Sequence, residues 1–376
     1  MQGAFVLLYV HIPFCASKCG YCAFNSFVVE QDNFESYIQA LCADIEHTLC
    51  HLYPHSHISS IFFGGGTPNL LHSEHYEAIF TILYKNAFIS KDCEITLEAN
   101  VNYLNTQWCK DLVSLGANRL SVGIQSFDKD KIAFLEREHS VYEIAKCVEN
   151  AYNGGFKNIS CDLIINTPLD SKTLISSEIT QAAALPLSHI SVYTLSIDEG
   201  SRFFLESKKS KPIQNSKTID SKTDEELSFW ARECLKENGF YQYEVSNYVK
   251  FNTNAECKHN LGYWQGEEYL GCGAGAVGRI ANKRTRAYPS LNEYIKNPYY
   301  RLVEELSEED LRLEQIMLGL RCVKGVDMAV FDDERFLKPL FDDKKCFRES
   351  YNGKLFLVAD ELFLADEIAT WILCRI

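Results

Sequence analysis

The sequence predicts an α/β fold built on a parallel sheet, curved into a partial barrel or left open, with a smaller helical unit after it. Three observations carry this. Short apolar runs alternate with stretches of helical periodicity about six times between Phe5 and Leu195, and such repetition builds parallel sheets through right-handed crossovers. Polar or glycine residues stand at the carboxyl ends of the first four runs, where parallel sheets and barrels hold ligands. The 376 residues, 46% hydrophobic and 12% aromatic, suffice for one large core and a small second one. A full barrel of about eight units is less expected at this length.

Phe5 to Val10 reads as a buried strand, ended by Pro13, which has no N–H to give a ladder. Cys15, Cys19 and Cys22 follow in a C-x3-C-x2-C spacing, with Gly20 in the loop. Thiolates this close repel one another unless a metal neutralises them, which favours a soft metal centre. Structural zinc and iron–sulfur cubanes usually take four protein ligands, and only three are local. The spacing therefore fits a cluster with one iron open to another ligand. It also fits a zinc site completed by His11, or three unlinked thiols.

Phe34 to Leu49 carries Phe34, Tyr37, Ile38, Leu41, Ile45 and Leu49 at helical spacing. Ile58 to Phe63 is a strand running into Gly64-Gly65-Gly66-Thr67-Pro68, which is either a tight turn or a loop whose amides can approach a ligand. A helix over Tyr76–Tyr84 leads to a strand, Glu94–Leu97, that ends at Glu98. A half-buried carboxylate there needs a cation or a donor. Thr106–Leu115 is helical and stops at Gly116, Arg119–Ile124 is a strand ending at Gln125, and Val141–Tyr152 is a helix. The strands Ser160–Ile165 and His189–Leu195, with a helical segment between them, contain Asp162 and Tyr193, whose side chains reach the lumen if they point inward.

Ser207 to Lys222 is polar and reads as a surface loop or linker; Glu225–Leu235 then puts Leu227, Trp230, Ala231 and Leu235 on one helix face. In Cys257–Gly266, His259 stands beside Tyr263 and Trp264, an arrangement that serves either packing or porphyrin-iron ligation with ring stacking. Ser307-Glu308-Glu309-Asp310 opens a helix with a stripe of Leu311, Ile316, Met317 and Leu320. Short strands are expected over Lys354–Val358 and Glu361–Leu364. The division expected is 1–290 and 291–376.

With 37 basic and 51 acidic residues the chain carries a formal charge of −14, which speaks against nucleic acid as a partner. Fifteen cysteines is an odd number, and no secretory signal or apolar span accompanies them. Free thiols in a reducing cytoplasm are expected, with Cys42, Cys147 and Cys161 as small core residues.

The triplet with an aromatic before its third cysteine, inside Tyr-x-His-Ile-Pro-Phe-Cys, resembles the cluster motif of radical S-adenosylmethionine (SAM) proteins. The branch is that of oxygen-independent coproporphyrinogen III dehydrogenases and the related haem chaperones. The resemblance implies a six-unit partial barrel with a small helical or winged-helix-like C-terminal domain. It implies that Cys15, Cys19 and Cys22 hold a [4Fe–4S] cluster, whose fourth iron is chelated by the SAM amino and carboxylate groups. Gly65, Gly66 and Thr67 match the loop at the SAM amino group, Glu98 and Gln125 the ribose or amino end, and Arg137 the arginine that pairs with the SAM carboxylate. Asp162 matches an aspartate near the adenosine hydroxyls, although Ile165-Asn166-Thr167-Pro168 departs from the Tyr-Gly-Leu-Pro-like turn usual after it. Tyr9 matches a tyrosine beside SAM, and Val277 lines the SAM pocket.

Two features imply the chaperone side of the branch. His259 lies in His-Asn-x-x-Tyr-Trp, similar to a motif of the chaperones. Phe24, counted with the cofactor-binding residues, stands where the dehydrogenases carry a further cysteine, and they also have an extension before the cluster loop. The implied cargo is haem, delivered to haem-requiring apoproteins such as respiratory enzymes, with peripheral membrane association a further expectation. The alternative activity is decarboxylation of coproporphyrinogen III through a 5′-deoxyadenosyl radical. A zinc-stabilised barrel without radical chemistry is the third reading.

Overall fold

The computed structural model describes residues 5–28, 34–209 and 221–376. Six parallel strands form its centre: β1 (Phe5–Ile12), β2 (His57–Gly65), β3 (Phe88–Asn100), β4 (Arg119–Gln125), β5 (Asn158–Ile165) and β6 (His189–Thr194). They are hydrogen-bonded in sequence order, as one-way right-handed winding requires. Tyr269–Cys272 adds a parallel strand beyond β1, and antiparallel strands extend both edges to give a twelve-stranded sheet. The result is a partial barrel of six strand–helix units.

Alternation along the strands gives the two faces different chemistry. Ile61, Leu97, Val122, Cys161 and Ile190 join one large core under the surrounding helices. The intervening residues Ser60, Thr96, Ser121, Ser160 and Ser191 are buried on the other face. A closed barrel fills its centre with branched aliphatic side chains; here small hydroxyl residues leave the lumen room for a ligand.

The helices α1 (Phe34–His47) and α2 (Ser73–Asn86) pack outside β1 and β2. The former ends in a π-turn, Thr48–Leu52, so the expected single helix to Leu49 changes hydrogen-bonding pattern near its end. The helix over Ser221–Glu237 buries Leu227, Ala231 and Leu235. Trp230 stays 40% exposed at its rim, its indole donating to Lys172 O and Ser176 Oγ. Of the stretch read as a linker, 210–220 lies outside the described residues, and its flanks are helical.

A second apolar cluster, from Ile316 to Ile372, gathers the helices Glu308–Gly319 and Ala365–Leu373 around a three-stranded antiparallel sheet. Ser307 and Asp310 form a reciprocal capping box, as the acidic opening predicts. Two expectations need correction. Met317 is 44% exposed, outside the Ile316–Leu320 contact face. Leu362–Leu364 is a 3-10 turn, because it is the entrance to the helix starting at Ala365; the strand paired with Lys354–Ala359 is Cys346–Tyr351. All fifteen cysteines are free thiols. Among the described residues no helix is long and apolar enough to cross a membrane.

Candidate functional site

The carboxyl ends of β1 to β4 and the loops after them converge, with Asp162 of β5, on one pocket at the carboxyl end of the sheet. Cys15, Cys19, Cys22 and Phe24 line it from the first loop, Gly65, Gly66 and Thr67 from the second, Glu98 from the third, Gln125 and Arg137 from the fourth, and Asp162 from β5. Tyr9 and His259 do not line it. They stand in the wall of the adjoining lumen, with Val277 and Tyr193. Glu98, Ser121 and Asp162 border both spaces.

The glycine loop is held close to the cysteine loop. Gly66 N donates to Ile12 O at 2.8 Å and Thr67 N to Phe14 O at 2.6 Å. A Cβ on Gly66 would lie 2.5 Å from Phe14 O and 3.0 Å from Cys15 Sγ, so only glycine allows this approach. Thr67 Oγ1 lies 3.8 Å from Cys15 Sγ and Arg137 Nη1 lies 3.7 Å from Cys19 Sγ. The rest of the Arg137 guanidinium is fixed by Gly123 O at 2.9 Å and by Asn100 Oδ1. Gln125 ends β4 at φ 67°, a left-handed turn that changes the direction of the chain before the Arg137 loop.

Glu98 accepts from Gly65 N at 3.0 Å. Burial lifts its carboxyl to about 7; the Gly65 hydrogen bond opposes the rise and the Asp162 charge adds to it. Asp162 is likewise raised, by burial first, while Ser191 and Ser121 favour its ionised form. Below pH 4.5 Glu98 is protonated both folded and unfolded, whereas between 4.5 and about 7 only the folded protein keeps the proton. The contribution of Glu98 to stability therefore falls as pH rises through this window. Buried Glu244 is also lifted to about 7. Glu98→Gln, in SAM-free protein, is expected to remove the Glu98 share of the pH dependence, so that the variant gains stability relative to the wild type as pH rises from about 5 to 8. Urea unfolding at constant ionic strength measures it, and an unchanged slope would mean that Glu98 is already ionised.

Both nitrogens of His11 are engaged, Nδ1 with Tyr9 Oη at 2.9 Å and Nε2 with Asn25 O at 2.8 Å. It is thus not free to complete a zinc site. Among the described residues no three His, Cys, Asp or Glu side chains form a set that could hold one metal ion. Three thiols spread around one pocket suit a cubane, which presents a separate iron to each.

His259 is 1% exposed, with Nδ1 at 2.8 Å from Ser60 Oγ and Tyr263 edge-on at 4.8 Å. Burial first, then the Arg119 charge, lower it to about 3, so the imidazole is neutral. Its Nε2 is buried without a partner among the described residues.

Sequence reading missed Asn100, His139 and Arg119. The first two line the cysteine pocket and the third the lumen. The carboxyl-end rule could have found Asn100, the last residue of β3. Arg119 opens a strand, where a charge reads as a solvated end, yet it is 2% exposed.

Comparison with known proteins agrees with this arrangement. The Radical SAM superfamily model matches residues 9–172, and the HemN C-terminal domain model matches 306–345. Heme chaperone HemW of Bacillus subtilis is 32% identical over 344 residues, covering 89% of this chain and 88% of that protein. Heme chaperone HemW of Buchnera aphidicola (strain APS) is 33% identical, with 97% and 93% covered. Radical S-adenosyl methionine domain-containing protein 1, mitochondrial, of Danio rerio is 31% identical, with 94% and 82% covered. The structure of coproporphyrinogen III oxidase (HemN) from Escherichia coli superposes with a TM-score of 0.77 at 22% identity, covering 98% of this chain and 90% of that one, and shows the shared fold. The family implies a [4Fe–4S] cluster and SAM, and the thiols, the close glycine loop and the Arg137 cation beside Cys19 fit both. Nearly full-length identity above 30% and the cysteine-lined pocket together establish that this chain belongs to the radical SAM superfamily, in the HemN/HemW branch.

Proposed function

We propose that this protein is a haem chaperone: it binds haem in the lumen beside a SAM-bearing cluster site and passes it to haem-requiring proteins, respiratory proteins among them. The observation that carries the reading is His259, a buried neutral imidazole whose Nε2 has no partner among the described residues, in the wall of an aromatic-lined lumen. Curated relatives at 32% and 33% identity that bear the name heme chaperone support it.

Cys15, Cys19 and Cys22 ligate the cluster in this reading. Gly65, Gly66 and Thr67 receive the SAM amino end, and the Arg137 charge pairs with its carboxylate. Glu98 and Gln125 contact the amino or ribose end, Asp162 the adenosine hydroxyls, Phe24 covers the mouth, and Tyr9 closes the side toward the lumen. When bound, the cluster supplies an electron and an open iron for SAM. His259 takes haem iron through Nε2; with the Nδ1 proton donated to Ser60 Oγ, Nε2 keeps its lone pair. Work in the cytoplasm, with delivery at the membrane face, completes the proposal.

An anaerobic haem titration of cluster-reconstituted protein beside His259→Ala tests it. Saturable binding with a Soret band is expected, weakened about tenfold or more in the variant. Absence of specific binding by both proteins, with turnover of coproporphyrinogen III, would replace the chaperone by the dehydrogenase reading.

A further inference from the structure

Arg119 is the anomaly of the lumen. It is 2% exposed, its Nε has no hydrogen-bond partner, and no carboxylate closes an ion pair on it among the described residues. A guanidinium has five donors, and one of them is left here buried and unmet, which a polar ligand atom would satisfy. On the adjacent strand its register partner Thr96 is also fully buried with an unpartnered Oγ1. Two neighbouring strands thus present unmet polar atoms from one level of the barrel.

The surroundings say what kind of group would meet them. Glu94 and Asp162 both act on the Arg119 charge, but the Glu94 oxygens already accept from Lys258 N at 3.1 Å and His259 N at 3.2 Å, with the Cys257 thiol at 3.5 Å. Asp162 is bonded by Ser121 Oγ at 3.2 Å, and Glu98 by Gly65 N at 3.0 Å. His189 is held between Ser160 at 2.6 Å and Tyr243 at 2.8 Å. None of these groups is left to turn toward Arg119 without giving up a bond. The same lumen is walled by the rings of Tyr9, Phe62, Tyr263 and Tyr269. Flat aromatic walls with a buried fork of N–H donors suit a planar apolar molecule that carries a carboxylate.

We propose that Arg119, with Thr96 beside it, is the receptor for a carboxylate of the lumen ligand, a propionate arm of the tetrapyrrole whose iron meets His259. This rests on the haem reading and adds to it a second, iron-independent anchor. The acidic lumen does not oppose it, because burial keeps Glu98 and Asp162 inclined to hold protons. Two anchors would fix both the position and the rotation of the ring.

The test uses the cluster-reconstituted full chain and three probes: haem, haem dimethyl ester, and iron-free protoporphyrin IX. The wild type is expected to bind haem about 10- to 100-fold more tightly than its dimethyl ester, as a charge-assisted contact implies, and to bind iron-free protoporphyrin IX through the carboxylate contact alone. In Arg119→Gln that preference collapses while ester affinity is unchanged. Arg119→Lys, which keeps the charge without the fork, retains part of the preference, and the visible absorbance of the cluster in each variant reports correct folding. Equal binding of acid and ester by the wild type, or a preference that survives in Arg119→Gln, overturns the inference while leaving haem binding intact. Failure of the wild type to bind any of the three removes the haem reading, and the propionate site with it.

Discussion

Cys19→Ser is expected to abolish the cluster while leaving the fold in place. Each of the three thiolates would hold its own iron, so losing one leaves a cubane with two protein ligands, and a serine oxygen is a poor soft-metal donor. Iron content should fall from about four per chain toward zero, and the visible absorbance with it. The fold should survive because Cys19 is half-buried in a loop and belongs to none of the apolar clusters. Thermal unfolding of the cluster-free proteins should agree to within about 0.5 kcal/mol, the usual size of a change outside a core. Cys161→Ser makes the contrast, since Cys161 is 0% exposed on the outer face of β5. That variant should lose stability through a buried hydroxyl and keep its iron. Full cluster absorbance in Cys19→Ser would overturn the ligand assignment.

The cysteine site was legible because it obeys two local rules. Motif spacing brings the thiols into one loop, and the carboxyl-end rule brings Gly65, Glu98 and Gln125 beside them without any knowledge of tertiary contacts. The sequence places Asp162 in β5 without its direction, and the structure turns it inward, into the lumen wall. What stayed hidden is every charge whose partner is far along the chain. Asp44 lies in α1 among Ile38, Leu41 and Ile45, where a lone acid reads as an edge of the apolar stripe. It is 0% exposed, accepting from Gly273 N at 3.0 Å and Tyr294 Oη at 2.7 Å, with Arg301 closing an ion pair. Those contacts tie α1 to the turn after the strand that borders β1 and to the helix Leu291–Lys296, across more than 220 residues of sequence. Periodicity records which face a residue takes and nothing about what meets it there. Leu362–Leu364 failed for the related reason that a short apolar run has no period of its own.

Lys131→Met is expected to be the most destabilising single change considered outside the aliphatic core, at about 3–5 kcal/mol, because it strands two buried carboxylates. Lys131 Nζ lies 2.7 Å from Asp170 and 2.8 Å from Glu178, and all three side chains are almost wholly buried. Methionine matches the stem in length and polarity of contact but leaves the two acids without a cation between them. The acids cannot simply be retired, since Asp170 accepts from Thr167 N at 2.8 Å and Glu178 from Phe127 N at 3.0 Å. Through those bonds the triad joins the loop after β4, which leads to Arg137, to the turn after β5, where the sequence departs from the usual Tyr-Gly-Leu-Pro pattern. The ion triad fixes that unusual turn, so the same variant should weaken SAM binding before it unfolds. Urea unfolding and SAM titration of the reconstituted protein read the two effects together. Lys338→Ala, which breaks an exposed pair with Asp342, should cost less than about 1 kcal/mol and leave SAM affinity unchanged. A loss of the same small size in Lys131→Met would mean that the cation does not hold the triad together, and that the turn owes its shape to Thr167 and Asp170 alone.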